Sequence, residues 1–308
     1  MKTVLTAALL TALLALVGVV LAPPEVFFSC DGGSKYILTR ALVDHDPAWP
    51  ALPYPGAAFD PDGAFFPIRG VFSVRQEDGR FVSAFPVYFP ILSAPGLGLL
   101  GPRGLLVVPL AGGFVGMLLL DRIGRLLGWS GRRRIAGICA LALATPFGFY
   151  SATFWEHAPA AALMLAGIAA TLPSLVSAPP RVPGSPGIGR REILGGFLLG
   201  LAGLLRPETL IASTAFLVSA ALARGARRAL ILASVGMALA IVFIAVANLV
   251  TYGHVAGPQL EANLEGPRLQ RAFIVIRLIC GKNLDRIWTL AALAALAAGI
   301  FETRPARA

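Results

Sequence analysis

Residues 4–22 read VLTAALLTALLALVGVVLA, and residues 27–35 read FFSCDGGSK. The first run is long and apolar enough for a transmembrane helix, which needs roughly 20 such residues. A carboxylate, two glycines and a lysine therefore follow directly on a predicted membrane span. An ionisable group at a membrane boundary has to be held by partners or by water, which makes Asp31 the first candidate for function.

The composition is that of an integral membrane protein. Of the 308 residues, 56% are hydrophobic and 14% are charged, and the mean hydropathy is +0.76. A soluble domain carries about 25% charged residues. The formal net charge is +10, but the arginines form short clusters between apolar runs, without a basic face or a ladder of stacking aromatic residues. This pattern argues against a nucleic-acid partner.

The apolar runs predict an all-α polytopic fold with about eight transmembrane helices in a single transmembrane domain, residues 1–308. The first helix, about 4–22, lacks a small-x-small cleavage site before Pro23, which favours an uncleaved helix over a signal peptide. The other seven runs cover residues 103–120, 135–152, 158–177, 193–205, 208–223, 228–250 and 285–302. Only Arg206 and Pro207 separate two of them, so a single kinked helix, giving seven spans, is the alternative.

Arginine clusters decide between these topologies by the positive-inside rule. The clusters lie at residues 122–134, 181–191, 224–228 and 304–307. If residues 193–223 cross twice, every cluster falls on the cytoplasmic side, whereas a single crossing separates the last two. Eight spans with both termini cytoplasmic are therefore favoured, in an inner or plasma membrane.

A long external loop, about 23–101, follows the first helix and contains half of the acidic residues of the chain. Residues 34–43 have near-helical apolar spacing and predict a short helix on the membrane surface. Asp78-Gly79 lies between apolar runs, which predicts a hairpin with strands at residues 65–72 and 80–87. Residues 178–187 form a Pro/Gly-rich linker.

Asp31 and Lys35 are the first pair of candidate site residues. The Asp31 carboxylate, beside two glycines that permit close approach of a ligand, is suited to act as a general base. The alternatives are an N-cap for the helix that follows or a solvated loop acid. Lys35 is suited to bind a phosphate as a point charge, the alternative being a side chain that extends to the lipid headgroups.

Two further pairs lie on the same predicted external face. Glu156 and His157 occupy a short turn between apolar runs, as a cavity lining or as part of an interfacial belt. Arg206 and Glu208 flank Pro207, which interrupts a continuous helix. The Arg206 guanidinium could hold a lipid-linked phosphate by two hydrogen bonds, or the two charges could form a structural pair.

Several kinds of chemistry have no sequence support. Cys30, Cys139 and Cys280 are far apart and lack metal-ligand spacing, so neither a zinc site nor a disulfide framework is predicted, and Cys139 and Cys280 are expected to pack as apolar side chains. The motifs of nucleotide hydrolysis, zinc proteolysis, serine hydrolysis, calcium binding and dinucleotide binding are missing. We predict neither a metal ligand set nor a resident cofactor.

The order of several short motifs resembles that of the GT-C integral membrane glycosyltransferases. The motifs are FPILSAPG at 89–96, TPFGFYS at 145–151, GLAGLLRPE at 200–208 and NLVTYG at 248–253, after the early acid. The similarity is to bacterial dolichyl-phosphate-mannose protein mannosyltransferase-like members and their aminoarabinose-transferring relatives. Many members have a second acid where Gly32 stands, and they usually continue with more helices. The resemblance therefore implies a short or truncated member.

The resemblance implies a polyprenyl-phosphate sugar as donor, transfer on the external or periplasmic face, and Asp31 as the catalytic base. Lys35, Glu156, His157, Arg206 and Glu208 are the predicted substrate-binding residues. The predicted partners are membrane lipid, the lipid-linked sugar and an acceptor that the sequence does not name. A transporter or lipid flippase and a noncatalytic assembly subunit are the alternative functions.

Overall fold

The computed structural model describes residues 1–21, 27, 30–68, 72–76, 78–176, 189–222 and 227–258. These residues belong to one compact unit, 1–262. The predicted linker at 178–187, the predicted helix at 285–302 and Cys280 lie outside the described residues.

The described part of the chain is mainly helical, as an all-α membrane fold requires. Helix α1, Lys2–Leu16, continues as a π-helical turn, Val17–Leu21. The remaining α-helices are α2 (Cys30–Val43), α3 (Tyr88–Leu100), α4 (Val107–Leu126), α5 (Gly131–Leu143), α6 (Pro146–Ser151), α7 (His157–Val176), α8 (Arg190–Leu205), α9 (Thr209–Leu222) and α10 (Arg227–Tyr252). Short 3₁₀ turns occur at Pro55–Ala58 and Gly101–Leu106, and a hairpin pairs β1 (Ser73–Arg75) with β2 (Phe81–Ser83).

Four helical segments of the described residues are long and apolar enough to cross a membrane: Lys2–Val20, Tyr88–Leu126, His157–Leu175 and Arg227–Tyr252. The apolar helices therefore indicate a membrane protein. Helices α5, α8 and α9 have 13, 16 and 14 residues, fewer than the roughly 20 that a perpendicular span needs. The predicted number of eight spans is not confirmed.

Two predicted helix boundaries differ from those of the structure, and a glycine or a proline lies at each of them. The segment predicted as a loop up to residue 101 already becomes helix α3 at Tyr88, and Gly101, at φ +65°, follows the end of this helix. The apolar run 135–152 is not one helix. Thr145 is extended and caps the N–H of Phe147, so α6 starts anew at Pro146, as expected for a residue that precedes proline.

The predicted hairpin and the predicted short helix are both present, but with other bounds. The turn before Gly79, at φ +83°, joins two antiparallel strands in which Val74 faces Val82. The first strand is Ser73–Arg75, after the predicted range 65–72. At the start of that range, the Asp60 carboxylate accepts the N–H groups of Ala64 and Phe65 and holds these residues in a turn. Helix α2 begins at Cys30, before the predicted Ser34, so Asp31 lies in its first turn and is not an N-cap. Cys139 is unpaired and packs partly buried against an apolar cluster, as predicted.

Glycines allow the helices at the C-terminal part of this unit to pack closely. A Cβ on Gly196 would lie 1.8 Å from the Ala233 carbonyl oxygen, so α8 and α10 are in backbone contact. Helix α9 returns antiparallel along α8, and Ser213 Oγ donates to the Leu199 carbonyl oxygen at 3.0 Å. Residues 193–222 are therefore two antiparallel helices joined at Arg206–Glu208, not one kinked helix.

These packing directions define two ends of the helix bundle. Helices α8 and α10 run parallel. The Ser174 hydroxyl, near the end of α7, donates a hydrogen bond to the Glu192 carboxylate, so the end of α7 lies beside the start of α8. Helix α4 runs alongside α7, and its Gly112 contacts the α7 start at Pro159. One end therefore holds the arginine-rich starts of α8 and α10 and the α4–α5 turn, and the other holds the ends of α8 and α10 and the starts of α4 and α7. Asp31, Glu156 and Arg206 belong to the second end.

Candidate functional site

Helix α2 places Asp31 and Lys35 on one face. Residues four apart in an α-helix are neighbours on its surface, and Lys35 Nζ forms an ion pair with Asp31 Oδ1. Leu38 and Thr39, on the same helix, are fully buried, and Leu38 packs in an apolar cluster with Leu52 and Phe66. The loop residues thus cover α2 and hold this pair against the helix bundle.

Glu156 and Arg206 come from two helix boundaries. Glu156 directly precedes α7, and its carbonyl oxygen accepts the N–H of Ala160 in the first turn. Arg206 ends α8 with extended φ and ψ of −143° and 106°, as expected for the residue before Pro207. Each side chain is thereby fixed at the end of a packed helix instead of in a long loop.

A continuous network of charges joins these three segments. Lys35 Nζ donates to Glu156 Oε2 at 2.5 Å, and Arg206 Nη1 donates to Glu156 Oε1 at 2.9 Å. Arg206 Nη2 donates to Glu208 Oε1 at 3.3 Å. With Asp31, three carboxylates and two cations form an alternating chain in which Glu156 is the central group.

Burial decreases from the centre of this charge network to its edges. The Lys35 and Glu156 side chains are 1% and 3% exposed, whereas those of Asp31 and Arg206 are 16% and 23% exposed. Glu208 is 52% exposed. Asp31, Arg206 and Glu208 are therefore the partly exposed groups of the network, and Lys35 and Glu156 are its buried groups.

Aromatic side chains surround the network. The Lys35 ammonium lies 4.5 Å from the centre of the Phe85 ring, within the range of a cation–π contact. His157 Nδ1 is 3.4 Å from Arg206 Nη1, and its ring stacks on Tyr150 at 3.8 Å with an interplanar angle of 12°. The rings of Trp155 and Tyr150 lie 5.2 Å apart.

Electrostatics separate the two inner carboxylates. Burial raises the pKa of Asp31 above its ordinary value; the Lys35 ammonium opposes this rise and the negative charge of Glu156 adds to it. Burial also acts to raise the pKa of Glu156, but Lys35 and Arg206 outweigh it and hold that pKa below its ordinary value. The Lys35 ammonium thus favours the charged form of both carboxylates, but burial outweighs it only at Asp31.

All six predicted site residues therefore come together. Asp31, Lys35, Glu156, Arg206 and Glu208 are linked by ion pairs, and His157 contacts Arg206. Their roles in binding or catalysis stay predictions. Sequence reasoning missed Phe85 and Tyr150. Phe85 carries no signal, because its contact with Lys35 depends on how the hairpin folds over α2, whereas Tyr150 lies in the motif TPFGFYS quoted above.

Among the residues that the structure describes, no three or more His, Cys, Asp and Glu side chains are grouped so that they could hold a metal ion. In comparisons with known proteins, no family model, no curated protein and no solved structure matches the chain.

Proposed function

We propose that this protein is a membrane glycosyltransferase of GT-C type that transfers a sugar from a polyprenyl-phosphate donor to an acceptor on the external or periplasmic face. The single observation that carries the proposal is the buried ion pair of Lys35 and Glu156, which joins Asp31 to Arg206. It connects an acid on α2 to an arginine at the end of α8, at the end of the bundle opposite the arginine-rich helix starts.

Asp31 has the properties of a general base. Its carboxylate is partly exposed, and burial raises its pKa, which brings proton affinity closer to that needed near neutral pH. In the proposed reaction Asp31 takes the proton of an acceptor hydroxyl, the hydroxyl oxygen forms a bond to the anomeric carbon, and the bond from that carbon to the phosphate oxygen breaks. The polyprenyl phosphate leaves with the bonding electron pair.

Arg206 is the group that we assign to the donor phosphate. Its guanidinium is partly exposed, and Glu156 fixes one of its nitrogens from the buried side. A forked guanidinium suits phosphate better than an ammonium does. A phosphate would take the place of the exposed Glu208 carboxylate on Nη2. Lys35 is too deeply buried to meet the donor, so we assign it the positioning of Asp31 and Glu156 in place of phosphate binding.

The proposed orientation follows from charge. The α4–α5 turn and the starts of α8 and α10 carry arginines, and the positive-inside rule favours the cytoplasmic side for short basic loops. The site then lies on the external side, in an inner or plasma membrane with both termini cytoplasmic.

Membranes containing the full chain, incubated with radiolabelled polyprenyl-phosphate mannose or polyprenyl-phosphate aminoarabinose, test the proposal. We expect label to leave the lipid fraction and to appear on an acceptor, relative to membranes without the protein. Movement of intact labelled lipid between leaflets without loss of its sugar would replace the proposal by lipid transport. Neither product nor movement, with loss of a partner protein on deletion of the chain, would replace it by an assembly role.

A further inference from the structure

A second charged feature lies at the other end of the bundle, in the turn between α4 and α5. The segment 121–134 contains five arginines and one acid, Asp121, which is also the only acidic residue between Asp78 and Glu156 in the sequence. The arginines are Arg122, Arg125, Arg132, Arg133 and Arg134. We refer to residues 121–134 as the arginine hairpin.

The arginine hairpin is a built structure. Trp129 N–H donates to the Gly124 carbonyl oxygen at 2.8 Å, and Gly128 adopts φ +73°, a backbone conformation that favours glycine. The Ser130 hydroxyl accepts the N–H of Arg133 and caps α5. The arginines therefore stand on a fixed turn that joins two packed helices.

Asp121 forms ion pairs with two arginines of the arginine hairpin itself. It is 2% exposed, and its two carboxylate oxygens accept hydrogen bonds from Arg125 and, at 3.0 Å, from Arg134. Arg122 and Arg132 are exposed, and neither has a carboxylate partner among the described residues. The hairpin therefore presents at least the two exposed positive charges of Arg122 and Arg132.

The location of these charges specifies their partner. Asp121 and Arg122 directly follow the apolar run Met117–Leu120 of the candidate span Tyr88–Leu126, so they lie where a membrane span reaches the headgroup layer. Leu127 is exposed and Trp129 is half-buried beside them, and tryptophan is typical of this depth. Arginine pairs with phosphate groups through its forked N–H donors.

We propose that the arginine hairpin binds the phosphate headgroups of anionic phospholipids, with Arg122 and Arg132 as contacts and with Asp121 holding Arg125 and Arg134 in position. Such basic segments are attracted to anionic lipid within about a Debye length of the surface. This lipid interaction is independent of sugar transfer, because α4 separates the hairpin from Glu156 by roughly 20 Å along its axis from Gly112 to Arg125.

The test is the melting temperature of the purified full chain in neutral detergent, titrated with short-chain phosphatidylglycerol, short-chain phosphatidylcholine or inorganic phosphate. We expect phosphatidylglycerol alone to raise the melting temperature in a saturable manner, and 0.5 M NaCl to reduce this rise, because salt at that concentration screens exposed charges. The variant R122Q/R132Q should lose most of the rise. The matched variant R80Q/R103Q removes two exposed arginines that lie outside the arginine hairpin. This variant should keep the rise in melting temperature.

An equal rise with phosphatidylcholine, or a full rise in R122Q/R132Q, would overturn the proposal. A rise of the same size with inorganic phosphate would reassign the site to a free anion. If R122Q/R132Q does not fold, R122K/R132K and the salt titration of the unmodified chain decide: a rise that 0.5 M NaCl leaves unchanged contradicts a headgroup contact.

Discussion

Lys35 and Glu156, which are 121 residues apart in the sequence, form a buried ion pair with 2.5 Å between Nζ and Oε2. Both side chains are almost completely buried. Taking two charges out of water is costly, and a buried pair is retained where its other hydrogen-bonding positions are also occupied. Asp31 on one side and Arg206 on the other meet this requirement, so the pair connects the two partly exposed groups of the proposed site.

Replacing Glu156 by glutamine should destabilise the protein strongly. Removing one partner of a buried pair leaves an uncompensated charge and costs about 3–5 kcal/mol. We expect E156Q to lower the free energy of unfolding by an amount in this range, measured by denaturant unfolding in detergent. The matched variant E208Q removes an exposed carboxylate from the same arginine and should cost less than about 1 kcal/mol. Equal effects would show that burial of Glu156 does not matter.

The charge order of the network also predicts a pH dependence. A base acts only when it is deprotonated, so kcat/KM for sugar transfer should rise with pH through the pKa of Asp31, which burial places above the ordinary value of 3.8. E156Q removes a neighbouring negative charge and leaves Lys35 to Asp31 alone, so the acidic limb should move to lower pH. In the control variant D44N, which alters an exposed acid paired with Arg40, the acidic limb of the kcat/KM profile should stay at the same pH. A limb that shifts upward in E156Q would contradict this order.

Sequence alone predicted the members of the network but not its connections. Asp31, Glu156 and Arg206 stand out in the sequence because ionisable groups at the ends of apolar runs are costly unless they are paired or hydrated, and the arginine clusters predict that all three lie on one face. The burial of Lys35 could not be predicted. It depends on α2 starting at Cys30 and on the loop that packs over this helix through Leu52 and Phe66, contacts between distant parts of the chain that no local pattern specifies.

Fold boundaries were predictable where the local signal was strong. The turn at Gly79 and the break at Pro207 follow from residues with restricted or unusual backbone conformations. By hydropathy, residues 135–152 form one apolar run, yet the helix is interrupted before Pro146. A hydropathy scale does not register that proline lacks a backbone N–H. The close packing of α8 on α10 through Gly196 was equally invisible to a hydropathy pattern.

Two glycines should respond oppositely to substitution by alanine. A Cβ on Gly33, inside α2, meets no atom within 4 Å, and alanine in a helix interior is favoured over glycine by roughly 0.5–1 kcal/mol. G33A should therefore raise the melting temperature. A Cβ on Gly196 would lie 1.8 Å from the Ala233 carbonyl oxygen, and overpacking typically costs about 1–3 kcal/mol. G196A should lower the melting temperature, and the opposite order would contradict the packing of α8 on α10.

Arg206 should be replaceable by lysine only with loss of donor affinity. One ammonium cannot reproduce a guanidinium that bonds Glu156 through Nη1 and presents Nη2 to the donor phosphate. A hydrogen bond to a charged group contributes about 1.5–3 kcal/mol, so R206K should raise KM for the lipid-linked sugar about tenfold or more. R40K, altered at an exposed arginine, serves as the control and should leave KM unchanged. An unaltered KM in R206K would remove Arg206 from the donor site.

The most direct measurement is the rate of sugar transfer from labelled polyprenyl-phosphate sugar in membranes containing D31N, compared with the unmodified chain and with D44N at equal protein levels. The two substitutions each remove one carboxylate, from the first turn of α2 and from the residue after its end. We predict that D31N abolishes transfer, because the acceptor hydroxyl then has no base, and that D44N retains it. Full transfer by D31N would contradict the catalytic role of Asp31.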